Sequence, residues 1–313
     1  MDAVRMHRYG GPEVLQNDSV AIPEPKGDAL LVRVRATSLN HMDVGLRSDE
    51  FRAFTFWRLP FTLGFDLAGE VEAVGAKVTG FEPGDRVYGV IGLGGGANAE
   101  YALVRQDRVA HLPASLAWTD AAAIPIAGLT ALQGLRAHAG LQAGQRVLIN
   151  GASGGVGAFG VLLAKLFGAH VAGVCSGAKR DFVQGLGADE VFDYREEDFT
   201  LRDESWDVVL DAAGNRTFAD VRRVLGKQGV MVSPRLSPWN ALDLVTTRVQ
   251  RGPRFAFVMA KERSFDLAFL ARLVETGRLR VPVERTYPLD ALSDAHRYLE
   301  SGGVRGKVVI SVG

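Results

Sequence analysis

Cysteine is nearly missing from this 313-residue sequence, and a net charge is missing altogether. The single cysteine, Cys175, cannot form an internal disulfide or a thiolate zinc cage, which predicts a protein of the reducing cytoplasm. Basic and acidic side chains number 36 each, so the formal net charge is +0. This balance gives no electrostatic reason to expect nucleic acid or an anionic membrane surface as a partner.

Long apolar runs are also missing. The most apolar helix-like run, 156–174, is interrupted by Lys165 and His170, so it predicts a buried helix and strand rather than a membrane span. Residues 1–8 carry charges where a signal peptide needs an apolar core. We therefore expect neither a membrane span nor a signal peptide.

The first third of the sequence is rich in predicted strands. Residues 29–36, 67–75 and 85–90 show the patterns of half-buried strands, and glycine and proline separate them. Short strands at this spacing predict a small barrel or sandwich. The terminal run 307–312 predicts a further strand that rejoins this domain.

From Trp118 onward the pattern changes to alternating strands and helices. The predicted strands are 146–150, 170–175, 191–194, 206–211 and 229–233, with helices at 155–167, 182–186 and 217–225. This alternation predicts a parallel sheet with helices on both faces. The expected fold is thus α/β, with a strand–helix domain (119–260) inserted into a β-rich domain (1–118 and 261–313).

A glycine-rich turn at 151–157, Gly-Ala-Ser-Gly-Gly-Val-Gly, joins the first of these strands to a helix. Such a turn lets the backbone approach a pyrophosphate, and the helix amino terminus offers unpaired N–H groups to an anion. The dinucleotide pattern places glycine at 152, 154 and 157, and Ala152 departs from it. We predict coenzyme binding by Ser153, Gly154, Gly155 and Val156. A structural turn without a ligand is the alternative.

The end of the second predicted strand indicates which coenzyme binds. NAD-preferring proteins place an acidic residue there for the ribose hydroxyls, whereas this sequence has Cys175 and Ser176, followed by Lys179 and Arg180. A hydroxyl and a cation can hold a 2′-phosphate, so the pattern predicts NADPH rather than NADH. Alternatively, Lys179 and Arg180 form the solvated start of a helix.

Several motifs together resemble one family. The chain is similar to the zinc-free quinone oxidoreductase branch of the medium-chain dehydrogenase/reductase superfamily, which includes ζ-crystallin and the alkenal/one oxidoreductases. Besides the glycine turn, the motifs are SLNHMD (38–43), LGFDLAG (63–69), AGLTA (127–131), LGADEVFDY (186–194), DAAG (211–214) and LESG (299–302).

The resemblance implies a Rossmann domain inserted into a barrel-like, GroES-like substrate domain. It also implies that Lys179 and Tyr194, with Ser176, hold the 2′-phosphate. Thr130 matches a family threonine near the nicotinamide, the backbone of Val258 is expected at the carboxamide, and we count Gly214 among the coenzyme-binding residues. The predicted strand 254–260 resembles the edge through which family members form homodimers, and an exposed apolar edge needs such cover.

The resemblance also bears on metal binding. Zinc-using relatives carry cysteine at the position of Asn40 and His-Glu at the positions of Phe65 and Asp66, together with a four-cysteine structural zinc loop. This sequence keeps none of these ligands. His41 is the only nearby imidazole, and one histidine cannot form a tetrahedral site, so we expect no metal.

Without a metal, catalysis must come from positioning and from hydrogen-bond donors. We predict that the Asn40 amide polarises a substrate carbonyl and that Asp43 supports this segment structurally. The alternative for Asn40 is a strand-end asparagine that pairs with nearby backbone. The final proton can come from water. The aromatic stretch 51–58 is expected either to cover a flat conjugated substrate or to pack under a loop.

The leading hypothesis is an NADPH-dependent reductase of quinones or α,β-unsaturated carbonyl compounds. A trans-2-enoyl thioester reductase of the same superfamily is the nearest alternative, and it would need basic residues along a long cleft. A third hypothesis, of another class, is a non-catalytic NADPH-binding protein with a structural or regulatory role.

Overall fold

The computed structural model describes residues 1–50, 58–249 and 251–313. These residues form two compact units, one of Met1–Ile126 with Glu262–Gly313 and one of Ala127–Lys261. The aromatic stretch predicted to cover a substrate lies outside the described residues, apart from Arg58. Within the described ranges, no helix has both the length and the apolarity required to cross a membrane.

Strands and helices are numbered in chain order. The first group consists of β1 (Asp2–Met6), β2 (Leu15–Ser19), β3 (Ala29–Ser38), α1 (His41–Arg47), β4 (Phe61–Thr62), β5 (Asp66–Val74), β6 (Arg86–Val90), β7 (Tyr101–Arg105), β8 (Val109–His111), α2 (Trp118–Ala123) and α3 (Pro125–Gln133). The second group consists of β9 (Arg146–Asn150), α4 (Gly155–Leu166), β10 (His170–Cys175), α5 (Arg180–Gly185), β11 (Glu190–Asp193), β12 (Trp206–Asp211), α6 (Phe218–Val221), β13 (Leu225–Ser233), α7 (Pro238–Val249) and β14 (Arg254–Phe257). The last group consists of α8 (Ser264–Glu275), β15 (Val283–Pro288), α9 (Leu292–Glu300) and β16 (Lys307–Ser311).

The first unit contains two sheets. One has the order β2-β1-β4, and the other has the order β15-β16-β3-β5-β6-β8, with β7 paired to β3. Apolar side chains of β3, β5, β6 and β7 alternate into a common buried cluster, which explains why these sequences form strands. The terminal strand β16 pairs with β3, where Ile310 lies opposite Thr37. The chain therefore returns to its first unit after the second unit has been inserted.

The first unit extends to Ile126, whereas the sequence pattern placed its end at 118. Helix α2 is the reason, because it packs on β3, β5 and β16 of that unit. Residues Ala121, Ala122 and Ala123 are fully buried in this contact. A helix that buries its face on a sheet belongs to the unit of that sheet, even where the sequence pattern has already changed.

The second unit is built on a parallel six-stranded sheet with the order β11-β10-β9-β12-β13-β14. Counted along the chain within this sheet, the order is 3-2-1-4-5-6, which is the dinucleotide-binding Rossmann order. The predicted fold class is confirmed. Strand β14 is an edge strand that ends at Phe257 rather than 260, and helix α7 was not predicted because its sequence is only weakly apolar.

A buried arginine holds α1 and α9 together in the first unit. The fully buried Arg47 guanidinium donates to Glu300 Oε1 at 2.6 Å, to the carbonyl oxygen of Gly10, and to His296 Nδ1 at 3.3 Å. His296 is also fully buried, and its Nε2 has no partner among the described residues. Burial, followed by the positive charge of Arg47, lowers the pKa of His296 from 6.5 to about 3.

We predict that His296 makes folding sensitive to acid. In the unfolded chain this histidine gains a proton below its ordinary pKa of 6.5, whereas in the folded protein it stays neutral down to about 3. The unfolded state therefore binds more protons in this window, and stability falls as the pH falls, by roughly 2 kcal/mol at pH 5 for one such group. The variant His296→Gln should lose this part of the pH dependence in urea unfolding at pH 5 and 7.

The matched control is His111→Gln, because the His111 side chain is 59% exposed. That variant should keep the pH dependence of the parent protein. A pH dependence unchanged by His296→Gln would contradict the assignment.

Candidate active site and coenzyme site

The glycine turn after β9 is shaped by two close approaches. Gly151 has a φ of 78°, in the left-handed region that glycine adopts without strain. A Cβ atom on Gly157 would lie 2.1 Å from the carbonyl oxygen of Gly151, so only glycine lets α4 pack this close to the turn. Ala152 is fully buried without conflict. The structure thus has room for the alanine side chain at 152, where the dinucleotide pattern has glycine. The positions that require glycine are 151 and 157.

Helix α4 begins at the carboxyl end of β9 without a side-chain cap. Its N-cap residue is Gly154, which has no side chain to bond the first helical N–H groups. Strands β9 and β12 are neighbours here, and the chain order of the sheet reverses between them. Ser153 is buried, and Gly155 and Val156 are half-buried. Free N–H groups and the positive end of the helix dipole at this position can bind a pyrophosphate.

A buried carboxylate orders the neighbouring loop. Asp211, at the end of β12, is fully buried and accepts hydrogen bonds from Asn150 Nδ2 at 2.7 Å, Gly214 N at 3.1 Å and Arg216 N at 3.2 Å. Asn150 Nδ2 also donates to Asn215 Oδ1 at 2.8 Å. Burial raises the pKa of Asp211 despite these donors. The loop that carries Gly214 is therefore tied to the end of β9.

The sequence singled out Gly214 but missed the pair of Asn150 and Asp211 beside it. Gly214 has a φ of 65°, and a Cβ atom there would lie 2.8 Å from Cβ of Arg235. The position requires glycine for the backbone turn itself. Each partner of the missed pair ends a predicted strand, and a polar residue at the end of a parallel strand is the signal that could have indicated their contact.

The predicted 2′-phosphate residues lie at the ends of two adjacent strands. In the parallel pair β10–β11, Cys175 lies opposite Asp193, so Ser176 and Tyr194 follow neighbouring strand ends. Tyr194 N donates to the Cys175 carbonyl at 3.2 Å, and Lys179 N donates to the Ser176 carbonyl at 2.8 Å. The Tyr194 side chain is 55% exposed. The structure therefore brings Ser176, Lys179 and Tyr194 to one edge of the sheet.

The charged groups at this edge differ from those that the sequence of β10 alone indicates. Arg180 Nη1 donates to the carbonyl oxygen of Val191 at 2.7 Å, so one of its guanidinium nitrogens is already used within the protein. The bend after β10, at Ser176 and Gly177, also has a carboxylate beside it. A Cβ atom built on Gly177 would lie 2.5 Å from Oδ2 of Asp193, so this side chain reaches the bend from the adjacent strand. Reading β10 alone could not reveal a group that β11 supplies.

The remaining coenzyme candidates of the second unit, Thr130 and Val258, are both buried. Thr130 lies in α3. Val258 follows the last residue of β14, and its N–H donates to the Ser233 carbonyl at 3.0 Å. This N–H is therefore already used within the sheet, and the coenzyme contact of the Val258 backbone stays a prediction.

A buried ion pair lies beside Asn40 in the first unit. Lys307 is 3% exposed, and its Nζ donates to Asn40 Oδ1 at 2.7 Å, to the Leu39 carbonyl at 2.9 Å and to Asp66 Oδ2 at 3.4 Å. Asp66 is fully buried; its Oδ2 also accepts from Ser38 Oγ at 2.6 Å, and its Oδ1 accepts from Ile126 N at 2.8 Å. Burial lowers the pKa of Lys307, and the attraction of Asp66 opposes this effect.

The amide of Asn40 is oriented by this pair. Its oxygen accepts from Lys307, and its Nδ2 donates to Asp66 Oδ2 at 2.9 Å. Nδ2 also lies 3.5 Å from the Ser38 carbonyl oxygen, which is at the limit of a hydrogen bond for the second N–H. Asn40 is half-buried. Its amide therefore pairs mainly with two charged side chains, and one N–H is held only weakly.

Asp43 supports the same segment from the first turn of α1. It is fully buried, and its two carboxylate oxygens accept from Asn40 N at 2.9 Å and from Gly64 N at 3.1 Å. Burial raises the pKa of Asp43 to about 7, although both hydrogen bonds favour the charged form. Its contacts are with backbone N–H groups that order the chain on both sides of Asn40.

Sequence patterns and relatives agree with this architecture. Residues 26–114 match the family model described as the alcohol dehydrogenase GroES-like domain, and residues 186–310 match the one described as zinc-binding dehydrogenase. The chain is 35% identical to the quinone oxidoreductase of Sus scrofa, over 99% of this chain and 97% of that protein. It is 37% identical to the 2-methylene-furan-3-one reductase of Solanum lycopersicum, over 96% of this chain and 76% of that protein.

Solved structures of similar proteins cover the whole chain. The quinone oxidoreductase of Coxiella burnetii superimposes with a TM-score of 0.89 at 32% identity, covering 100% of this chain and 99% of that one. The quinone oxidoreductase of Escherichia coli, solved in complex with NADPH, gives a TM-score of 0.86 at 27% identity, covering 99% of this chain and 100% of that one.

A zinc ion does not fit the residues of this chain, although one matching family model is named for zinc. The ligand positions inferred from the resemblance hold the neutral amide of Asn40, the phenyl ring of Phe65 and the carboxylate of Asp66. That carboxylate already pairs with the Lys307 ammonium. Among the described residues, no group of three histidine, cysteine or acidic side chains could hold a metal ion.

We predict that Lys307 is required for stability because it is the only cation that we find paired with Asp66 in the described residues. Replacing it with an apolar side chain of similar length, Lys307→Met, leaves a buried carboxylate without its cation. The free energy of unfolding should fall by about 3–5 kcal/mol. Urea unfolding of the variant and the parent protein measures this loss.

The control is the double variant Lys307→Met with Asp66→Asn. Since a neutral amide at 66 no longer needs a cation, the double variant should regain much of the lost stability. A single variant as stable as the parent would show that the ion pair contributes nothing.

Proposed function

The chain belongs to the quinone oxidoreductase branch of the medium-chain dehydrogenase/reductase superfamily, and we propose on this basis that it reduces quinones or α,β-unsaturated carbonyl compounds with NADPH and without a metal. It is an oxidoreductase.

One observation carries the proposal: the uncapped amino terminus of α4 lies where the strand order of the sheet reverses. In open α/β sheets, ligands bind at this point, outside the carboxyl ends of the strands. Ser176, Lys179 and Tyr194 lie at the ends of the next two strands of the same sheet. We therefore propose that Ser153, Gly154, Gly155 and Val156 bind the pyrophosphate and that Ser176, Lys179 and Tyr194 bind the 2′-phosphate.

The same proposal gives roles to the other predicted coenzyme residues. Thr130 and the backbone of Val258 contact the nicotinamide end, and Gly214 shapes the loop beside the glycine turn. Asn150 and Asp211 hold this loop in place. When bound, the coenzyme supplies a hydride, and water supplies the proton that completes the reduction.

In the first unit, Asn40 is proposed to polarise the carbonyl oxygen of the acceptor. Its weakly held N–H is the donor for this bond, and it needs no protonation step. Lys307 and Asp66 fix the amide so that its oxygen faces the ammonium and its nitrogen does not rotate away. Asp43 orders the backbone on which Asn40 is carried. Tight preorganisation of this kind is what metal-free polarisation requires.

We also propose a homodimer formed through β14, in a cytoplasmic protein. Strand β14 is the edge of its sheet, and helix α7 beside it exposes Trp239, Leu242 and Val245. These three residues are spaced to share one face of the helix. An exposed apolar strand edge beside an exposed apolar helix face is typical of a protein–protein interface. In a homodimer, the same surface of a second copy of the chain would bury both.

We predict that the protein consumes NADPH in the presence of quinones or enones and that a chelator leaves the rate unchanged. Initial rates with a panel of quinones, small enones and trans-2-enoyl-CoA thioesters measure this. Faster turnover of the thioester than of any small acceptor would favour the enoyl thioester reductase instead. Tight NADPH binding without turnover of any acceptor would point to a non-catalytic binding protein.

We predict that Lys179→Ala raises the KM for NADPH by about tenfold or more, because a charge-assisted hydrogen bond to a phosphate is worth roughly 1.5–3 kcal/mol. The KM for NADH should stay within about twofold, since NADH carries no 2′-phosphate. Steady-state kinetics with both coenzymes test this. Equal effects on the two coenzymes would show that Lys179 does not bind the 2′-phosphate.

A further inference from the structure

One carboxylate lies beside the coenzyme bend, by which we mean Ser176 and Gly177 at the proposed coenzyme site. Only one of its two oxygens accepts a hydrogen bond. Asp193 is the last residue of β11 and is 7% exposed. Its Oδ1 accepts a hydrogen bond from Arg195 N at 2.9 Å, which fixes the side chain over the start of the following loop. Its Oδ2 makes no hydrogen bond within the described ranges.

The free oxygen faces the bend after β10. A Cβ atom on Gly177 would lie 2.5 Å from Asp193 Oδ2, so the carboxylate occupies the space that a side chain at 177 would fill. Gly177 follows Ser176 directly, and Ser176 is one of the proposed 2′-phosphate residues. The glycine thus leaves room for an acceptor oxygen at the place where the adenosine ribose is expected.

Charges of both signs surround this bend. Burial raises the pKa of Cys175; the positive charges of Arg180 and Lys179 act to lower it, and the negative charge of Asp193 acts to raise it. All three groups therefore lie within electrostatic range of the same thiol. Lys179 is expected to attract a phosphate at this bend, and Asp193 is expected to repel it.

We propose that Asp193 is a coenzyme-specificity residue that opposes Lys179. Its free oxygen accepts a hydrogen bond from a ribose hydroxyl, as acidic residues do in NAD-binding proteins, and it repels a 2′-phosphate. The preference of the bend for one coenzyme is thus the difference between the attraction of Lys179 and the repulsion of Asp193 for the 2′-phosphate. As a result, the protein accepts NADH as well as NADPH. This inference depends on the proposed coenzyme site.

The test is Asp193→Asn, which keeps an acceptor for Arg195 N and removes the charge. We expect the ratio of kcat/KM for NADPH to that for NADH to rise about tenfold. A change of this size corresponds to the loss of one repulsion between the carboxylate and the 2′-phosphate. The change should lie in KM, with kcat nearly constant. Lys179→Ala should lower the same ratio.

The matched control is Glu196→Gln, which removes an equal charge from an exposed position in the same loop. Its ratio should stay that of the parent, because solvent screens an exposed charge. A ratio that rises equally in both variants would overturn the proposal, because the change in net charge, rather than the position of Asp193, would then explain the rise. A second variant, Asp193→Ser, retains a hydroxyl acceptor for the loop N–H and should raise the ratio as Asp193→Asn does.

Calorimetric titration with adenosine 2′,5′-bisphosphate and with 5′-AMP gives a readout without hydride transfer. Asp193→Asn should bind the bisphosphate about tenfold more tightly than the parent and bind 5′-AMP no better. An unchanged preference between these two fragments would overturn the role of Asp193 while leaving the coenzyme site intact. A parent protein that binds neither fragment would overturn the coenzyme site and this inference with it.

Discussion

The first unit depends on the neutralisation of one buried ammonium group. Lys307 lies 241 residues after Asp66 in the sequence, yet the two side chains are 3.4 Å apart and almost completely buried. An unpaired charge in such a place costs several kcal/mol, so the terminal strand β16 must lie against β3 and near β5 for the unit to be stable. Because the cost of closing a loop grows only slowly with its length, an inserted domain can separate the two partners.

Both units use an asparagine amide to satisfy a buried carboxylate beside a proposed functional site. Asn40 Nδ2 donates to Asp66 at 2.9 Å, and Asn150 Nδ2 donates to Asp211 at 2.7 Å. The surroundings differ. Asp66 also has the Lys307 ammonium, whereas Asp211 has amide and backbone donors, and burial raises its pKa. In the first unit, the network orients a side chain; in the second, it orients a loop beside the glycine turn.

The coenzyme bend shows how neighbouring strands combine their functional groups. Strand β10 leads to Ser176 and Lys179, and β11 ends with Asp193 and leads to Tyr194, so residues with hydroxyl, ammonium and carboxylate groups lie at the ends of two adjacent strands. Parallel strands place their carboxyl ends at one edge of a sheet, and this is why residues from separate segments share one site. Selectivity at such a site is a difference between attractions and repulsions rather than the property of one residue.

The sequence alone determined the elements whose patterns are local. The bounds of β9, β10 and β12 were predicted as the structure has them, because buried parallel strands form continuous apolar runs. The glycine turn was recognised from its glycines between a predicted strand and a predicted helix, and the structure shows close packing at Gly157 and a left-handed backbone at Gly151. Strand β14 was predicted too long, and α7 was missed because its sequence is only weakly apolar.

Only the tertiary structure decided which distant groups touch. The partners of Asn40 come from β5 and β16, the boundary of the first unit comes from the packing of α2, and the carboxylate at the coenzyme bend comes from β11 rather than β10. Local pattern reports which face of a segment is buried. It does not report which neighbour covers that face, because strand order is set by the packing of the whole sheet.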